Sequence, residues 1–201
     1  MTSKASVVTE RQAPLRRAYA EDPGGAHIVK WAATSNGVGA DALHSIVHIG
    51  KGYGVSQRLG IDRAVGGYHD LPNPGDLLCA ALAVCEDATV RMIADILGVP
   101  ILDLSVEVTA DMDVRGCLSV DRSVKVGFRA MTCHVHLRVP SGTEPRHLAA
   151  LKAQAERSCV NLDTLRSGLP VELDFDLAMA DAAMGDRAAP PDSRMPGCPT
   201  S

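Results

Sequence analysis

The chain has 201 residues, of which 46% are hydrophobic and 22% charged, with a formal net charge of −4 and six cysteines. This length suits one domain with tails, and a net negative charge with only 3% aromatic residues supplies neither the basic surface nor the stacking platforms that nucleic acid requires. The longest apolar stretch, Leu77 to Cys85, is too short to cross a bilayer.

Residues 1–14 are polar and without periodicity, and predict a flexible N-terminal arm with no apolar leader segment. The domain itself is expected over residues 15–178. Ala26 to Thr34 and Ala42 to Gly50 read as strands split by the turn-rich Ser35-Asn36-Gly37, and Tyr53 to Ile61 as a third strand. A loop follows from Gly66-Gly67 to Pro72. A long helix then begins with Asn73 as N-cap, Pro74 at the first helical position and Asp76 placed for a capping box. It runs to Leu97, where Gly98 and Pro100 stop it, and its first half is apolar nearly all round, which predicts a central, buried helix.

Ile101 to Thr109 alternates Leu102, Leu104, Val106 and Val108 with polar residues, the pattern of a half-buried strand, and Phe128 to Val139 alternates likewise. A second helix is predicted from Glu144 to Ser158 with Leu148, Leu151 and Ala155 on one face, then a short helical segment at Leu162 to Ser167 and a last alternating strand at Val171 to Leu177. Proline and small residues make residues 179–201 a disordered C-terminal tail. This order of elements predicts an α+β fold with antiparallel pairing.

No C-x-x-C pair or zinc-finger spacing is present, so the cysteines predict neither a disulfide framework nor a metal site, and the expected compartment is a reducing cytoplasm. Two cysteines stand out. Cys85 ends the apolar run Leu77-Leu78-Cys79-Ala80-Ala81-Leu82-Ala83-Val84, and Cys159 lies at the end of a helix, where a thiol can be presented to a cavity. Each alone also reads as core packing, because free cysteine behaves as a small hydrophobe. Cys79 is about 9 Å up the helix axis from Cys85, too far for a disulfide. Cys117 and Cys133 fall in or near strands, and Cys198 in the tail. Glu86 and Asp87 would raise the Cys85 pKa if they point toward it. His134 with His136, and His44 with His48, share strand faces without a third ligand at suitable spacing, and Tyr68-His69-Asp70 is a polar loop that could border a pocket mouth.

Gly66-Gly67, Asn73-Pro74-Gly75-Asp76-Leu77-Leu78 and Ala80-Ala81-Leu82-Ala83-Val84-Cys85 together resemble the first-cysteine signature of the OsmC/Ohr family. Ala155-Glu156-Arg157-Ser158-Cys159-Val160-Asn161-Leu162-Asp163-Thr164-Leu165 resembles its second. The resemblance covers residues 26–177. It implies antiparallel sheets wrapped around long central helices in an intertwined homodimer, and thiol-dependent reduction of organic hydroperoxides. Cys85 then matches the peroxidatic cysteine, oxidised to a sulfenic acid, and Cys159 the resolving one, condensing with it to a disulfide that an external dithiol reduces. No metal or organic cofactor is implied. The carboxylate of the family pattern falls on Asp76, which also suits a cap. The arginine that usually follows the first strand has no counterpart in Ser35 to Ala42, leaving Arg16, Arg17, Arg58 and Arg63 as candidates. The alternative function is a non-catalytic protein of the same fold that holds a small apolar ligand.

Overall fold

The structure, a computed structural model, describes residues 6–35 and 41–177. Its organising element is helix α2 (Pro74–Leu97), and its start is fixed locally. The Asn73 side chain accepts from the backbone N–H groups of Gly75 and Asp76, while Asp76 accepts from Asn73 N–H at 2.9 Å, which satisfies three donors that a helix end leaves open. Gly98 closes the helix in a left-handed conformation at φ 65°, where a side chain would be strained. Both ends agree with the sequence expectation, and so does the role of Asp76 as a cap.

Strands β1 (Ala32–Ser35), β2 (Ser45–Ile49) and β3 (Ser56–Leu59) form one antiparallel sheet in that order. All three are shorter than the sequence suggested. The segment before β1 instead forms a 3-10 turn at Pro23–Ala26, because proline fixes φ at its start and the Asp22 side chain accepts from Gly24 N–H. The turn expected at 35–37 lies largely outside the described residues.

Strands β4 (Asp103–Asp111) and β5 (Ala130–Arg138) pair antiparallel along their full length, from Asp103 opposite Arg138 to Asp111 opposite Ala130. Their alternation places Leu104, Val106, Val108, Cys133, Val135 and Leu137 on the inner face and Glu107 and His136 outside. Cys117, expected in or near a strand, lies in the loop between β4 and β5, its thiol donating to the Val114 carbonyl at 3.2 Å. Helix α3 (Pro145–Ser158) and helix α4 (Val160–Ser167) follow, with Cys159 as their only hinge residue. The core forms where α2, α3 and the β4–β5 pair meet: Val90, Ala94, Val99, Leu151 and Ala155 are buried, with Ile93, Leu104, Val135 and Leu148 packed against them.

Two expectations are corrected. Residues 7–14, taken as a loose arm, belong to helix α1 (Val7–Glu21). Its start is held by a partner that no local pattern reveals: Asp95 of α2 accepts from the Ser6 hydroxyl at 2.6 Å and from Val8 N–H at 2.9 Å, while Ser6 caps Thr9 N–H. Residues 171–177 form no strand among the described residues, although Val171, Leu173, Phe175 and Leu177 alternate as predicted and are exposed. Alternation assigns faces, whereas a strand exists only through hydrogen bonds to a neighbouring edge. The tail expected at 179–201 lies outside the described residues.

The loop joining β3 to α2 is tied to the first sheet through His44. Its Nδ1 lies 2.6 Å from Asp41 Oδ2, its Nε2 lies 3.1 Å from Asp70 Oδ2, and its ring stacks on Tyr68 at 5.9 Å. Hydrogen bonding to Asp41, then to Asp70, raises the imidazole pKa, and the bond to His44 lowers that of Asp41. A raised histidine stabilises fully below its unfolded value of about 6.5 and loses that contribution as pH rises through the folded value. Asp41 contributes above its unfolded value of about 3.9 and loses its share as pH falls through its lowered one. Amide-exchange protection of residues 60–72 is therefore expected to peak between about pH 4 and 6.5 and to decline above it. His44→Ala should abolish the decline. Protection that is level from pH 5.5 to 8.5 in the unaltered protein would rule the clasp out.

Candidate active site

Leu82, Glu86, Val90 and Ala94 follow one another at four-residue spacing on α2, and all four are buried, so this stripe faces the core. Leu151, Ala155 and Cys159 make the matching stripe on α3 and its end, again at four-residue spacing and buried. Packing the two stripes together carries the Cys159 thiol against α2. Cys159 is 0% exposed, and both Cys85 and Glu86 lie close enough to its thiol to raise its pKa. The α4 end of the hinge is clamped as well: Asn161 Nδ2 donates to the Ala81 carbonyl at 2.8 Å, one turn before Cys85. Thr89, also buried, donates its hydroxyl to the Cys85 carbonyl at 2.7 Å.

Burial pushes the Cys159 thiol up to about 12; the Leu162 backbone N–H acts against this, and the contacts with Glu86 and Cys85 add to the rise. Cys133, on the inner face of β5, is raised by burial and then by the charge of Glu86. Cys79 is raised by burial and then by Asp76. Thus Cys85, the partly exposed thiol, has a fully buried thiol beside it, and the Glu86 carboxyl acts on both Cys159 and Cys133.

The acidic pair after Cys85 separates into two roles. Asp87 is engaged by Arg91 one turn later, with Arg91 Nε at 2.8 Å. Glu86 points inward, is 6% exposed, and its Oε2 has no hydrogen-bond partner. Along the chain Glu86 is marked only as a neighbour of Cys85. The signal that marks it is the spacing Leu82, Glu86, Val90, which sets a charged residue within an apolar stripe. Of the arginines suggested from sequence, Arg16 bonds to Gln12 within α1 at 3.0 Å. Among the described residues, no arginine hydrogen-bonds or ion-pairs with Cys85.

Beside the thiols lies an open cleft of about 1050 Å³ between α2, β5, α3 and α4. Its floor is apolar, including Leu82, Val90, Val135 and Leu151, and Glu86 and Cys133 reach into it, whereas Cys85 and Cys159 do not line it. His134 also lines the cleft, Tyr68 and Asp70 serve the His44 clasp, and His69 pairs with Asp62 at 3.3 Å.

A model of the OsmC-like protein family matches residues 67–174, the span that holds α2, both strands of the second sheet, and α3 and α4. The chain is similar in fold to an OsmC-like protein from Mycoplasma pneumoniae, with 15% identity and a TM-score of 0.55 over 70% of this chain and 89% of the other. It is likewise similar to the organic hydroperoxide resistance protein OsmC of Legionella pneumophila, with 20% identity and a TM-score of 0.50 over 69% and 90%. An organic hydroperoxide resistance protein from Elizabethkingia anophelis gives 15% identity and 0.51 over 71% and 91%. No curated protein matches the sequence.

Proposed function

The chain belongs to the OsmC-like family, and we propose that it reduces organic hydroperoxides with Cys85 as the attacking thiol and Cys159 as the resolving one. The observation that carries this reading is the buried Cys159 thiol held against Cys85 by the stripe packing and the Asn161 clamp. Cys85 thiolate attacks the peroxide O–O bond and releases an alcohol, leaving a sulfenic acid; Cys159 then displaces water from it to form the disulfide. An external dithiol returns the pair to thiols, in keeping with a reducing cytoplasm; among the described residues no helix is long and apolar enough to cross a membrane.

The direct test is chemical. About one equivalent of cumene hydroperoxide should convert two thiols to one disulfide, and peptide mapping should find Cys85 joined to Cys159. Linkage through Cys79, or no loss of thiols, contradicts the assignment. The second reading, a ligand-binding protein without turnover, is favoured by the apolar cleft that neither thiol lines and by the lack of an arginine bonded to Cys85 among the described residues. It predicts no thiol loss in the same experiment.

An intertwined homodimer is part of the proposal. On the side of α2 away from its core stripe, Val84 is 69% exposed, with Ala81 and Ala88 exposed beside it. The first sheet leaves Ile49 exposed. A second copy covering these surfaces should bury more than about 2,000 Å² in a largely apolar interface. Sedimentation should give twice the chain mass of 21.1 kDa, persisting on dilution; a stable monomer overturns this part of the proposal.

A further inference from the structure

Glu86 is a buried charged residue that attack of Cys85 on a peroxide does not require. A buried oxygen without a partner costs on the order of 1–3 kcal/mol, and an aliphatic side chain would fill the stripe between Leu82 and Val90 without that cost. Resolution, however, has a requirement that Glu86 meets. Cys159 is shut away from water, and a thiol ionising near 12 is thiolate in only about one part in 10⁵ at neutral pH. Water cannot reach it to take its proton, whereas Glu86 is its neighbour in the same buried interface, with one carboxyl oxygen, Oε2, buried and unpartnered.

We propose that Glu86 is the proton acceptor that activates Cys159 for attack on the oxidised Cys85; the inference rests on the peroxidase reading above. Starting from Cys85 sulfenic acid and Cys159 thiol, the Cys159 proton passes to the Glu86 carboxylate as the Cys159 sulfur attacks the Cys85 sulfur. The S–S bond forms, the S–O bond breaks, and the departing hydroxide takes the proton from Glu86 to leave as water. Cys159 sulfur is oxidised, Cys85 sulfur is reduced, and Glu86 ends as it began. The thiols that Glu86 acts on are Cys159 at the α3–α4 hinge and Cys133 on β5. The cleft it lines also carries Lys125 and Arg129 from the segment before β5, His134 from β5, and Lys152, Glu156 and Arg166 from the helices. Arg129 is paired with Asp111, and Arg166 with Glu156.

The test follows the two steps separately in the full chain after one equivalent of cumene hydroperoxide. Dimedone labelling reports the Cys85 sulfenic acid, and mapping of quenched samples reports the disulfide. In Glu86→Gln, which keeps the shape and removes the base, the sulfenic acid should persist about 100-fold longer or more at pH 7 relative to the unaltered protein, and Glu86→Asp should recover part of the difference. Disulfide formation in Glu86→Gln at the unaltered rate overturns the proposal and leaves the peroxidase reading standing. Absence of both sulfenic acid and disulfide in the unaltered protein overturns both. The unaltered protein gives a second reading that does not depend on a variant folding: its rate of sulfenic acid loss should rise far less than tenfold per pH unit from pH 6 to 9, because the proton passes to a group inside the site rather than to hydroxide. A tenfold rise per pH unit, the mark of a buried thiol ionising without assistance, overturns the proposal.

Discussion

Replacing Cys85 by serine is expected to bring hydroperoxide consumption down to the rate seen without protein. A hydroxyl in place of the thiol supplies almost no anion at neutral pH and cannot form the sulfenic acid that the next step needs. Cys159→Ser should behave differently. One equivalent of peroxide is consumed, after which Cys85 remains as a sulfenic acid with no buried thiol beside it. Excess peroxide should then carry it to sulfinic acid, which dithiols do not reverse. The two variants thus separate attack from resolution, with steady-state turnover lost in both and a single turnover kept only in Cys159→Ser. Full turnover in Cys85→Ser would remove the assignment altogether, and full turnover in Cys159→Ser would show that another thiol, Cys133 or the external dithiol itself, resolves the reaction.

Leu151→Ala should be the most damaging single change to the fold that leaves the thiols in place. Leu151 is 2% exposed and packs with Val90, Ala94 and Ala155, where α3 meets α2. Truncating a buried leucine loses its transfer energy and leaves a cavity, at a cost of about 2–5 kcal/mol, or a fall in Tm of roughly 5–15 °C at this chain length. Because Leu151 and Ala155 form the stripe that ends in Cys159, the cavity should also slow disulfide formation. Val160→Ala, at a position 69% exposed, serves as the control and should stay within about 0.5 kcal/mol of the unaltered protein. A Leu151→Ala midpoint in denaturant that matches the control would show that the two stripes do not carry the core.

Most elements were legible because their signals are local. Asn73, Pro74 and Asp76 satisfy donors within one helical turn, and Gly98 ends the same helix through its own backbone, so α2 could be placed to the residue. The alternation of β4 and β5 and the spacing of Leu148, Leu151 and Ala155 specify faces within single elements, and the structure buries those faces. The signals that failed are those that depend on distant chain. Helix α1 is held at its start by Asp95, 89 positions from Ser6. Val171 to Leu177 has the alternation of a strand without the ladder.

The sequence by itself determined the order of the elements, the ends of the central helix, and which two cysteines to consider together. Only the tertiary structure decided what surrounds them. It set the packing of the α2 and α3 stripes that withdraws Cys159 from water, the inward turn of Glu86 that takes it away from Asp87, and the Asn161 clamp that holds the hinge to Ala81. Turn chemistry, caps and periodicity act over a few residues and can be read along the chain. Burial and thiol ionisation depend on which atoms exclude water from a site, and here those atoms come from segments more than 70 positions apart.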